Sequence, residues 1–351
     1  MKKIFSLMLI FTIAMLVIFA GCGRGNKAPV SSTSNDGPTG KILIYTSMYE
    51  DIIEAVSKVL ARKFPNCQIE FFYGGTGTIQ AKVAAEIAAN KLGCDMLMVA
   101  DPAYSLELKE KGLLYAYKSR EASHLAFDYD KDGYWYPVRI SNMVLAYNPE
   151  KYAKNTIPNS LYDFAFDSKV KGAVSMSNPL TSGTAMASIT ALRDKYGYEY
   201  FAALGKQEVK IESGSVALVK LETGECKVIM ILEESVLKKR EEEKSKLEVI
   251  YPTDGTIVVP STIMTVNDQW SANKNTKAAE AITDWFLGTE GQEAIVDGWM
   301  HSARLNFNKI PYDAIPTRQI RDNSMPVNWE NCYRQREELR TKFEENVTKK
   351  K

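Results

Sequence analysis

Apolar and polar positions along most of this chain switch between two rhythms. Ile42-Leu43-Ile44-Tyr45 is an unbroken apolar run, as in a strand covered on both faces. Ile52, Ile53, Val56, Val59, Leu60 and Phe64 then recur at helical spacing, and Pro65 ends that helix. Ile69 to Tyr73 reads as a second strand, Gly74 to Thr78 as a tight turn, and Ile79, Val83 and Ile87 as the next helix. Met96 to Val99 is a third strand, with a helix start at Asp101-Pro102. This alternation predicts an α/β fold with parallel strands. Tyr134 to Ile140 and Met143 to Tyr147 read as two strands that could cross between lobes. A second unit follows: Ala173 to Met176, a helix opening at Thr181-Ser182-Gly183-Thr184, and a buried strand from Val228 to Leu232. Leu247 to Tyr251 and Ile257 to Met264 flank the turn Pro252-Thr253-Asp254-Gly255. Trp329, Tyr333, Arg336, Phe343 and Val347 suggest a C-terminal amphipathic helix.

The first residues follow neither rhythm. Lys2 and Lys3 precede an apolar run from Ile4 to Ala20, and Gly21 and Cys22 follow. A basic start, an apolar core and small residues before a break describe a secretory signal over residues 1–21, with a membrane anchor helix as the competing reading. Phe19-Ala20-Gly21-Cys22 resembles a bacterial lipobox with Cys22 as the lipidated residue. The Ser-, Gly- and Pro-rich stretch 22–40 cannot form a core and reads as a tether. Loss of Lys2 and Lys3 turns the net charge from +1 to −1. Near-neutral charge argues against nucleic acid as partner. Cys67, Cys94, Cys226 and Cys332 show no CxxC spacing and are expected as buried free thiols.

With His124 and His301 the only histidines, no HExxH or Cys/His ligand set exists. Gly75-Thr76-Gly77 lacks the third glycine of a dinucleotide loop. Ser168 to Lys171 and Ser271 to Lys274 match SxxK without the companion motifs of that chemistry. The turn Asn178 to Ala185 says more: hydroxyls and a glycine open a helix, where unpaired N–H groups and the helix dipole favour an anion. Plain capping by Thr181 or Ser182 explains it equally. Thr76-Gly77-Thr78 is the matching turn in the first unit, and Thr46-Ser47-Met48-Tyr49 lies at the carboxyl end of the first strand, the edge where open sheets bind ligands. Glu233-Glu234-Ser235 follows a buried strand and can accept hydroxyls, pair an amine, hold a cation, or simply start a helix. Arg139 and Arg304 sit in strand-like segments where a lone guanidinium needs an anion. Lys238 to Lys246 reads as a solvated helix face, and Tyr196, Tyr198 and Tyr200 as core or surface aromatics.

Ile44 to Ser47, Cys94 to Leu97, Leu145 to Pro149, Asn178-Pro179 with Ser182 to Thr184, Gly214 to Ala217, Glu222 to Glu225, Tyr251 to Thr256 and Gly291 to Ala294 occur in an order that resembles a known family. It is that of extracytoplasmic solute-binding proteins of ABC importers, in the branch handling ferric iron, hexose phosphates and phosphonates. The resemblance implies a two-lobed type II periplasmic-binding-protein fold with crossing hinge strands, lobe 1 from 41–142 and 257–351 and lobe 2 from 143–256. It implies no catalysis and no cofactor, a permease and an ATPase as partners, and an exported lipoprotein held at the membrane through Cys22. It points to Ser47, Tyr49, Thr76, Thr78, Ser182, Gly183, Thr184, Glu234 and Asp254 as ligand-binding residues. The ferric branch uses paired tyrosines where Glu234 and Ser235 stand here, and a histidine where Tyr49 stands. The expected solute is therefore a phosphate-bearing organic anion. The alternative is ferric ion held by Tyr49, Glu233 or Glu234 with a bridging anion. More distant alternatives are an enzyme on the same fold, which the export signal opposes, and a surface adhesin.

Overall fold

The structure, a computed structural model, describes residues 37–349; the signal segment, Cys22 and the tether up to residue 36 lie outside them. Strand β1 (Gly40–Thr46) begins on the last residue assigned to the tether. It pairs in parallel with β2 (Cys67–Tyr73) and β3 (Met96–Val99), with α1 (Glu50–Lys63) and α2 (Thr76–Ala88) as crossovers. Asp101 caps α3 (Pro102–Glu110) by accepting from the Tyr104 N–H, with Pro102 at the position where a missing N–H is harmless. The short β4 (Leu114–Tyr115) closes this block.

Trp135 to Tyr147 forms one continuous 13-residue strand, β5, rather than two. Ser141 and Asn142 break its apolar pattern without breaking the strand, because both donate to carboxylates at its centre. Lobe 2 follows: α4 (Leu161–Phe166), β6 (Val174–Ser177), α5 (Gly183–Tyr196), α6 (Glu199–Lys206), β7 (Lys210–Glu212), α7 (Gly214–Thr223), β8 (Val228–Leu232), α8 (Glu233–Glu242) and β9 (Glu248–Ile250). The long β10 (Thr256–Val266) then returns antiparallel to β5. One sheet therefore runs β2-β1-β3-β10-β5-β8-β6-β7, two parallel blocks joined by two antiparallel strands buried along their whole length.

After β10 come α9 (Thr276–Leu287) and α10 (Thr289–Asp297), which pack on lobe 1 through Ile282, Phe286 and Ile295. The chain then passes α11 (Thr317–Asp322), β11 (Ser324–Met325), α12 (Trp329–Arg334), α13 (Arg336–Phe343) and a π turn (Glu344–Thr348). This last stretch corrects the expected lobe division. Leu339, Phe343 and Val347 share one core cluster with Tyr200, Phe201 and Leu204, so the C-terminus joins lobe 2. Their spacing on one helical face turns all three toward that cluster. The four described cysteines are buried and unbonded to one another.

Candidate functional site

The parallel strands of both lobes end at the gap between them. From lobe 1, the end of β1 presents Ser47 and Tyr49, β2 presents Tyr73, the α2 start presents Gly75 and Thr76, and β3 runs into Ala100. From lobe 2 come Thr181, Ser182, Gly183 and Thr184 at the start of α5, then Leu232 and Glu234 after β8. Arg139 and Ser141, two residues apart on one face of β5, are the crossing-strand contribution. Together these residues enclose a cavity of about 150 Å³. The lobes touch around it: Gly77 N donates to Thr181 O at 3.1 Å, and the Tyr49 and Ser235 hydroxyls lie 3.3 Å apart.

The lobe 2 turn is built by Asn178. Its side-chain oxygen accepts from Leu180 N at 2.9 Å, and its carbonyl accepts from Thr181 N and Ser182 N. Ser182 caps α5 by accepting from Ala185 N at 3.3 Å, and its hydroxyl lies 3.1 Å from that of Thr184. The 14-residue helix thus aims its free N–H groups and positive dipole end at the cavity. Capping and ligand-facing geometry coexist here.

Arg139 is 3% exposed. One guanidinium nitrogen donates to Ser47 Oγ at 3.2 Å, another lies 2.9 Å from Met300 Sδ, and Nε has no partner. Among the described residues it forms no ion pair. Burial pulls its pKa down, opposed by Glu234. Glu234 accepts from Ser141 Oγ at 2.8 Å, and burial pushes its carboxyl above the ordinary range despite its own backbone N–H, Ser141 and Arg139. Burial, aided by Glu234, pushes the Tyr49 phenol up to about 12. The cavity therefore carries one guanidinium and one carboxylate, not paired with each other.

Of the residues expected from the sequence, Ser47, Tyr49, Thr76, Ser182, Gly183, Thr184 and Glu234 meet at this cavity. Thr78 does not: it lies inside α2 with its side chain exposed. Asp254 also belongs elsewhere. Its carboxylate accepts from Leu161 N and Tyr162 N, each at 2.9 Å, and from the Tyr196 hydroxyl at 2.6 Å, because its turn folds back over the open N-terminus of α4. Glu233 turns away from the cavity toward the hinge, where it meets His301 Nε2 at 3.0 Å, Asn142 Nδ2 at 3.0 Å and the Tyr251 hydroxyl. It is therefore not brought together with Tyr49 and Glu234 as an iron ligand set. Arg304 pairs with Glu121 at 2.7 Å and needs no outside anion. Gly75, Tyr73, Ala100 and Ser141 were missed in the sequence. For Ser141 a signal existed, its place two residues beyond Arg139 on one strand face.

Comparison with known proteins places this geometry. The family described as bacterial extracellular solute-binding protein matches residues 94–317. An uncharacterized protein of Haemophilus influenzae is 24% identical over 278 residues, spanning 75% of this chain and 77% of that one. Among solved structures, the periplasmic binding protein AfuA of Actinobacillus pleuropneumoniae, with fructose-6-phosphate bound, superposes with a TM-score of 0.75 at 22% identity, covering 88% of this chain and 98% of that one. Iron-bound HitA of Pseudomonas aeruginosa gives a TM-score of 0.75 at 19% identity, covering 87% and 99%. The fold shared with these proteins is the two-lobed type II periplasmic binding protein.

Proposed function

Because the chain belongs to the family of bacterial extracellular solute-binding proteins, we propose that it captures a small phosphate-bearing organic solute, a sugar phosphate or a phosphonate, for an ABC importer. The observation that carries this reading is Arg139, a buried guanidinium that lines the interlobe cavity and pairs with no carboxylate among the described residues. A buried unpaired cation is costly, and a bound anion removes that cost. The phosphate would lie between Arg139, the N-terminus of α5 and the hydroxyls of Ser47, Thr76, Ser182 and Thr184. Glu234 and Ser141 then remain for hydroxyl or amine groups on the organic part. Binding free energy gained only when both walls touch the solute favours the closed state, which the transporter recognises. Nothing in this reading requires a covalent step.

Ferric ion is the competing cargo, and HitA shows the fold holding iron. Two features count against it here. Arg139 places a fixed positive charge in the same cavity, and Tyr49 would have to surrender a proton that burial and Glu234 hold in place. Anchoring at the membrane through lipid on Cys22 completes the proposal; among the described residues no helix is long and apolar enough to span a bilayer.

The test is calorimetric titration with fructose 6-phosphate, an aminoalkylphosphonate, inorganic phosphate and ferric citrate. An organic phosphate or phosphonate is expected to bind, and Arg139→Met to weaken it on the order of a hundredfold, since a charge-assisted contact contributes about 1.5–3 kcal/mol. Equal affinity in that variant would sink the assignment. A coloured protein that binds only ferric ion would establish the iron reading.

A further inference from the structure

We propose that the C-terminal helices form an interlobe latch, in which Arg336 and Arg340 are positioning residues that hold the Thr181–Thr184 turn against lobe 1 and set how fast a solute leaves. The functional part of this rests on the reading of that turn as the anion-binding wall. The latch itself is read from which lobe each partner belongs to.

One end of the latch is planted in lobe 2. Phe343 meets Phe201 edge to face at 5.6 Å, Leu339 and Val347 are buried beside it, and Glu338 accepts from the Tyr198 hydroxyl at 2.6 Å. The other end grips lobe 1. Arg336 Nη2 donates to Asp101 Oδ2 at 2.8 Å, with side-chain exposures of only 12% and 3%. Asp101 is fixed in lobe 1 by Tyr104 N at 3.1 Å and by Gln80 Nε2 of α2 at 2.8 Å. At the far end of α3, Arg334 reaches Glu110 at 2.8 Å.

Between these grips lies the turn. Arg340 Nη2 donates to Leu180 O at 3.1 Å from the latch side, while Gly77 N donates to Thr181 O from lobe 1. Asp101 follows Ala100, whose carbonyl faces Gly183 across the gap, so the ion pair sits one residue from the cavity wall. An opening that draws α3 away from α13 parts the Asp101 carboxylate from its cation. Burial pushes that carboxyl up, opposed first by Arg336 and then by the Tyr104 N–H and Gln80. Removing one partner of such a pair while the other stays buried is strongly unfavourable. The closed state alone satisfies both ends.

The experiment uses the full chain as wild type, Arg336→Gln, Asp101→Asn and the double variant. Asp101→Asn retains a side-chain oxygen to cap α3, so it reports charge rather than lost capping. Release of fructose 6-phosphate by stopped flow should quicken about tenfold in each single variant, the scale of a typical coupling between sites. Solute-free small-angle scattering should show a larger radius of gyration. The double variant should be no faster than either single one. Folded variants with wild-type release and wild-type scattering would overturn the latch, as would fully additive effects in the double variant. If fructose 6-phosphate binds to none of the four proteins, this sugar phosphate is not the solute, and the scattering comparison by itself decides the latch.

Discussion

Arg139 and Glu234 hold opposite charges in one small space without meeting, and both bear the cost of burial. Ser141 stands between their roles: it shares a strand face with Arg139 and donates to Glu234. For Glu234 the consequence is a defined pH dependence. Its folded-state pKa is raised above the ordinary 4.5, so the folded chain binds that proton more readily than the unfolded chain. Stability is therefore lost as pH rises from the ordinary glutamate range through the raised value. Glu234→Gln removes the penalty. In the solute-free protein it should raise the melting temperature at pH 7 by on the order of 2 °C, and the gain should shrink at pH 4.5. A gain that is the same at both pH values, read by calorimetric scanning, would contradict the burial argument. Binding should weaken in the same variant, because a site tuned for a ligand sacrifices stability without it.

The start of α5 does three things with few residues. Asn178 shapes the turn, Ser182 caps the helix, and Gly183 lets the lobes approach. A Cβ at Gly183 would lie 2.5 Å from Ala100 O and 2.8 Å from Thr76 Cγ2, both across the gap. The glycine is needed there for proximity, not for backbone conformation. Gly183→Ala should leave each lobe folded, since alanine suits a helix first turn. It should nevertheless prevent closure and reduce solute affinity on the order of a hundredfold, because Kd scales with the fraction of closable molecules. The measurement is titration beside circular dichroism; unchanged affinity with an intact spectrum would show that closure does not need this contact. The sequence signal at this element, hydroxyls and glycine before a helical pattern, was legible in the chain, yet capping and ligand contact could not be separated there because both use the same groups.

Across the whole molecule, closure draws on contacts far from the cavity. Trp299 Nε1 donates to Glu241 at 2.6 Å, and Lys238 pairs with Asp51, each joining α8 of lobe 2 to lobe 1. The exposed Lys238–Asp51 ion pair contributes little by itself. The Glu233–His301 contact at the hinge and Arg336–Asp101 at the latch are buried polar links. The whole-molecule prediction that remains is tethering. Cys22→Ser should move the protein from the detergent phase to the aqueous phase on partition of expressing cells; persistent detergent partition would favour an uncleaved helix.

The sequence by itself determined the strand and helix rhythm, the two parallel blocks and most of the residues on the facing turns, because burial on one or both faces writes a local period into the chain. It also marked the hydroxyl turns as places suited to an anion. Tertiary structure alone decided which charges meet. Asp254 and Glu233 looked like cleft carboxylates but found backbone and histidine partners, whereas Arg139 found no carboxylate among the described residues. It alone decided that α13 and the π turn pack on lobe 2. Pairing between residues distant in the chain depends on how lobes pack, and no local period records that.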